Sequence, residues 1–140
     1  MAMNHDQDTE QLRLLSIFHY VEAGILALLS MLPILHVVMG IAIVTGAFDV
    51  ESGDALPEVF GWLFIIFPAL VILCGITMAV CVAIAGQRLA RTRSYTYCLV
   101  IAGIECMFMP FGTVLGVFTI IVLMRPTVKA LFDVAQISEP

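Results

Sequence analysis

Four ionisable side chains, His19, Glu22, His36 and Glu105, stand inside or at the edge of long apolar runs. Ionisable groups placed in hydrocarbon are costly, and where they occur they mark ion paths, proton relays or paired polar clusters. His19 and Glu22 are three residues apart, which puts them on one face of a helix. A His-x-x-Glu pair of this kind can ligate a metal or relay a proton. It can equally be a satisfied polar pair near a membrane surface. His36 lies in the turn after Pro33 and, taken alone, reads as a hydrogen-bonded packing residue. Glu105 precedes Pro110 by about one turn. These four are the candidate ion-path or polar-cluster residues. No catalytic residue is assigned: the chain has no nucleophile elbow, no phosphate-cradling glycine loop and no HExxH. The spacings of its acids, histidines and cysteines form no recognised metal or haem site, so neither metal nor cofactor is expected.

The elements that must position these residues follow from composition. Of 140 residues, 61% are hydrophobic and 12% charged, with a mean hydropathy of +1.08. Soluble domains are nearer 45–50% apolar and about 25% charged. A chain this short cannot bury so much apolar surface in water, so the expected solvent is lipid. Three runs, residues 20–48, 59–86 and 97–124, each exceed the roughly 20 residues that a spanning helix needs. They lack the short alternation of barrel strands. The expected fold is all-α, an integral membrane helical bundle forming a single transmembrane domain over 1–140.

Loop charge sets the orientation. The loop 49–58 carries Asp49, Glu51, Asp54 and Glu58 and no base; the loop 87–94 carries Arg88, Arg91 and Arg93 and no acid. Short basic loops stay cytoplasmic, so 87–94 is expected inside and 49–58 outside. Residues 58–88 then form one long crossing, with Trp62 as an interfacial anchor near its outer end. So strong a charge asymmetry argues against dual topology. The N-terminal stretch is acidic and has no signal-peptide n-region, so the first segment is expected to be retained. Asp8 or Thr9 could cap a helix beginning at Glu10.

Pro33 and Pro110 break the two outer segments, as kinks in single crossings or as turns between two helices. Gly112, just after Pro110 and Phe111, makes the second the stronger turn signal. Placing Arg125 and Lys129 beside the basic loop gives a hairpin at Pro110. With Arg13 also inside, the total is four transmembrane helices, within a range of three to five. Each arm of that hairpin is about 20 Å long by helical rise, which suits a re-entrant pair. Kinked single crossings would bury His36 and Glu105 deeply, whereas turns at the prolines would leave both near an interface. Ala23-Gly24, Pro33 and Gly40 are echoed by Ala102-Gly103, Pro110 and Gly116, a pattern open to reading as chance or as a degenerate internal repeat.

Small residues let helices approach in lipid. Gly75, Ala79 and Ala83 form one such stripe, Gly112 and Gly116 a second, Ala42 and Gly46 a third. They serve contacts within a subunit or self-association. Cys74, Cys81, Cys98 and Cys106 all sit in apolar runs and read as small hydrophobes. Residues from Pro126 onward could form a short interfacial helix.

The stretch Met109, Pro110, Phe111, Gly112, Thr113, Val114, Leu115, Gly116, followed by Arg125, Pro126, Thr127, Val128 and Lys129, resembles the C-terminal pattern of a group of small bacterial polytopic inner-membrane proteins of unassigned function. The run from Leu14 to His19 into Tyr20 is similar in character. The resemblance covers the last quarter of the chain. It implies a bacterial cytoplasmic membrane and carries over no activity and no catalytic residue. The expected role is a non-catalytic accessory subunit, scaffold or self-assembling bundle. The expected partners are the bilayer and copies of itself or a larger membrane complex, and no nucleic acid. The alternatives are a channel or transporter subunit using Glu22, His36 or Glu105, and a metal or redox membrane protein.

Overall fold

Proline 33 removes a backbone donor in the middle of the first apolar run, and the consequence is local. In the computed structural model, which describes residues 2–47, 58–108 and 111–137, α1 (Ala2–Ser30) and α2 (Ile34–Val44) are separated only by the turn at 31–33. Pro33 keeps helical angles, φ −65° and ψ −6°. Tight i→i−3 bonds carry the chain through: Met31 N–H donates to Leu28 O at 3.1 Å and Ile34 N–H to Met31 O at 3.1 Å. Asp6–Val44 therefore forms one apolar helical run of 39 residues, and of the two options for Pro33 the structure takes the interrupted single run. The helix also begins before Glu10, so the expected cap at Asp8 or Thr9 is replaced by continuous helix from Ala2.

α2 ends in a Schellman motif. Gly46 takes φ 72°, Ala47 N–H reaches Ala42 O at 2.9 Å and Gly46 N–H reaches Ile43 O at 3.1 Å. Gly46 thus serves as a helix stop, a left-handed position that a residue without Cβ adopts without strain.

α3 (Glu58–Ala90) holds the second apolar run, 33 residues with Pro68 inside it. Trp62 is half exposed near its start and donates its indole N–H to Glu58 Oε1 at 3.2 Å. The rest of the acidic loop, 49–57, lies outside the described residues. α3 also stops on a Schellman motif, with Arg93 N–H to Arg88 O at 2.9 Å and Thr92 N–H to Leu89 O at 3.2 Å. Here the left-handed position is occupied by Thr92, φ 49°.

α4 (Tyr95–Glu105) and α5 (Phe111–Leu123) form a tightly packed hairpin. Gly112 lies against Glu105 O and Gly116 against Ala102 O and Cys106, so the two helices run antiparallel. Pro110 itself lies outside the described residues. α6 (Pro126–Ile137) follows α5 after a 77° bend. The supposed repeat does not fold alike: the chain continues past Pro33 but doubles back between α4 and α5.

All described elements are helical, and no strand occurs among the described residues. Two helical runs, Asp6–Val44 and Glu58–Ala90, are long and apolar enough to cross a membrane; the bent pair α5–α6 makes a third if taken as one span. The chain divides into two compact units, Met1–Gly24 with Ala79–Pro140, and Ile25–Met78. The first has a core of Leu12, Leu15, Leu89, Cys98, Val122, Leu123, Val128 and Phe132. Every basic residue of the chain flanks this cluster: Arg13 beside Leu12, Arg88, Arg91 and Arg93 around Leu89, and Arg125 and Lys129 on either side of Val128. Arg125 donates to Gln11 Oε1 at 2.9 Å and stands 3.8 Å from Asp8 Oδ1. The second unit packs α2 against α3 where Gly40 meets the Gly61 carbonyl.

Candidate functional site

Helical periodicity builds the site. Asp8, Leu12, Leu15, His19 and Glu22 recur at alternating steps of four and three, so they share one face of α1, and all five are buried. The two leucines sit in the core cluster. The next turns carry the polar members inward.

His19 is placed by its neighbours on α1 and α3. A Cβ at Gly86 would fall 3.0 Å from His19 Cβ and 3.1 Å from Ser16 O, so a side chain there would push the helices apart. Ser16 Oγ donates to Gly86 O at 2.7 Å and fixes the approach. The His19 ring is 1% exposed. Its Nδ1 lies 2.9 Å from Leu15 O. Its Nε2 lies 3.2 Å from Glu105 Oε2, and the Glu105 side chain is also 1% exposed. This is an ion-pair approach without the alignment of a directed hydrogen bond, since neither Glu105 oxygen has a hydrogen-bond partner.

Glu22 stands one turn further along α1. Its Oε1 would be 3.0 Å from a Cβ at Gly112, and that same Cβ would be 2.5 Å from Glu105 O. Glycine at 112 therefore makes room for Glu22 beside the end of α4. Glu22 lies within electrostatic reach of both His19 and Glu105. Its Oε2 is buried and has no hydrogen-bond partner.

The structure thus brings His19, Glu22 and Glu105 together and leaves His36 elsewhere. His36 is on α2, in the Ile25–Met78 unit, exposed and stacked on Phe64 with ring centroids 6.1 Å apart. The expected His19–Glu22 pair shares a face as spaced, but the direct partner of His19 is Glu105. Among the described residues no three His, Cys, Asp or Glu side chains converge as metal ligands do. Of the packing candidates, Gly112 and Gly116 seal the α4–α5 hairpin, and Gly75 receives Ser30. Ala79 is buried and Ala83 half-buried. Sequence reasoning missed Asp8, Ser16 and Gly86. The signal for Asp8 was its place in the stripe of Leu12, Leu15 and His19.

No family model matches this chain, and no curated protein or solved structure matches it either.

Proposed function

We propose that the chain is a multi-pass protein of a bacterial cytoplasmic membrane, with four membrane-embedded helical segments, that serves as a non-catalytic accessory or self-assembling component. The observation carrying the orientation is the gathering of all six basic residues around one end of one unit. Basic residues collect on the cytoplasmic side, so both ends of the α4–α5 hairpin, the start of α1 and the start of α6 fall there together. α1–α2 leaves that side and α3 returns to it. α4 rises about 16 Å and α5 about 20 Å, short of the roughly 30 Å hydrocarbon core. On this reading the hairpin turns within the membrane, with Glu105, the last residue of α4, near its tip.

The non-catalytic role is supported by closure of the one chemically equipped cluster. His19 and Glu105 are sealed from solvent, so no substrate reaches them in this conformation. The exposed faces are apolar, including a groove along α3 lined by Val59, Phe60, Leu63, Ile66, Phe67 and Leu70. Such faces suit lipid and neighbouring helices. A conducting path through Glu22, His36 and Glu105 is the weaker reading, because His36 is exposed and stacked on Phe64. The bacterial setting rests on the C-terminal resemblance.

Two measurements test this. Native mass in a mild detergent should show a homo-oligomer or a complex with other subunits; a lone monomer refutes the assembling role. Single cysteines replacing Arg13, Arg91 and Lys129 should react with an impermeant maleimide from the same side of sealed vesicles, opposite to a cysteine at Glu58. Any of the three labelling with Glu58 refutes the topology.

A further inference from the structure

The tautomer of His19 is fixed by its surroundings. A carbonyl oxygen only accepts, so the Nδ1 that faces Leu15 O at 2.9 Å must carry a hydrogen. That leaves Nε2 facing Glu105 Oε2 at 3.2 Å. A bare imidazole lone pair and a bare carboxylate oxygen repel each other at this distance. The pair therefore carries one proton, on nitrogen as an imidazolium or on oxygen as a carboxylic acid. In either form the His19–Glu105 pair is neutral as a unit.

Glu22 is not balanced by that pair. It is nine-tenths buried, its Oε2 meets no donor, and the nearest ionisable groups are His19 and Glu105. An ionised Glu22 leaves an uncompensated negative charge in a medium of low dielectric, which is strongly unfavourable. A proton on Glu22 removes the charge and supplies a donor. We propose that His19, Glu105 and Glu22 form a proton-binding site within the helical bundle, in which the His19–Glu105 pair retains one proton and Glu22 binds a second.

The division of roles follows the contacts: His19 and Glu105 face each other at 3.2 Å, whereas Glu22 Oε2 is buried and meets no hydrogen-bond partner. The groups facing the site are few. α1 contributes His19 and Glu22, and α4 contributes Glu105 with the Cys98 thiol within its electrostatic reach. α3 presents Gly86 to His19, its nearest ionisable side chains in this unit being Cys81 and Arg88, and Arg88 is held by Ser94 and by the face of Tyr97. α5 presents Gly112 and carries no ionisable residue. Among the described residues the only base within electrostatic reach of Glu22 is His19, which is already engaged with Glu105. The proton comes from water and returns to it, with no bond made or broken besides O–H. The site does not depend on the oligomeric state, so it stands or falls separately from the assembling role.

The test uses the full chain in a detergent without ester groups. Infrared difference spectra between about pH 5 and about pH 9 read carboxylic C=O bands, and potentiometry counts protons taken up. The wild type should show a titrating band of a desolvated carboxylic acid. Glu22→Gln should lose that band and take up about one proton fewer per chain. Nitrogen NMR of His19 in the wild type should show Nδ1 protonated throughout and an Nε2 signal perturbed by the neighbouring Glu105 carboxyl. A wild type with no titrating band overturns the proposal without recourse to any variant, as does a Glu22→Gln protein with an unchanged band and proton count. A titration that moves tenfold with a tenfold rise in sodium would assign the site to a monovalent metal and overturn the proton assignment.

Discussion

Replacing Gly116 by alanine places one methyl group in the α4–α5 contact. Its Cβ would stand 2.8 Å from Cys106 Sγ and 3.0 Å from Cys106 N, with the Ala102 carbonyl oxygen closer still. Non-bonded carbon contacts are favourable near about 3.5–4.0 Å, so the helices must move apart. Two of the three obstructing atoms are α4 backbone, which no rotamer change removes. Overpacking of this kind costs about 1–3 kcal/mol, and a backbone obstruction belongs at the upper end. Alanine returns up to about 1 kcal/mol through its helix propensity. The net loss is about 1–2 kcal/mol, or roughly 5- to 30-fold in the folded-to-unfolded ratio. Gly103 on α4 is the internal control, because a Cβ there meets nothing within 4 Å. Gly103→Ala should stabilise by about 0.5–1 kcal/mol through propensity alone. The assay is unfolding in mixed micelles at increasing SDS fraction, followed by tertiary circular dichroism. A Gly116→Ala protein as stable as Gly103→Ala would refute the close-packed hairpin.

The other expectations follow from single contacts. Gly40→Ile should open the α2–α3 crossing, since even a Cβ at 40 would lie 2.8 Å from Gly61 O; a loss of about 2–3 kcal/mol is expected in the same assay. Thr92→Asn should stabilise the α3–α4 turn by about 0.5–1 kcal/mol, because Asn tolerates the left-handed position that Thr92 occupies at φ 49° under strain. Arg125→Gln should change stability by less than about 1 kcal/mol, since Arg125 is half exposed and its 3.8 Å approach to Asp8 is long; a larger loss on denaturation would show that the contact anchors α1.

How far the sequence disclosed this fold differs from residue to residue. The apolar runs disclosed the long helices, because long unbroken apolar stretches without strand alternation have the length and composition of spanning helices. Gly112 and Gly116 disclosed the hairpin contact, because a close crossing demands missing side chains at helical spacing. Pro33 misleads in either direction: the chain can pass it by shifting to i→i−3 bonds, as Met31 and Ile34 do, and local sequence does not say when. The site was half visible. His19 and Glu22 stood out as charges in an apolar run, and their spacing put them on one face. The partner of His19 was hidden, because a pair with Glu105 is decided by how α4 packs on α1 and not by any spacing within one helix. His36 shared the apolar setting of the others, and its exposure and its stacking on Phe64 separate it from them.

The hairpin's shortness has a consequence for how the chain is made. In the membrane placement proposed above, neither α4 nor α5 alone is long enough to cross a bilayer, so the two would enter together and meet α1 as a pair. Until then His19 and Glu22 have only each other, and α1 carries an unmatched polar notch facing lipid. Docking of the hairpin tip fills that notch with Glu105. On that reading the hairpin completes the polar cluster that α1 begins, and a chain lacking α4 leaves His19 without its partner.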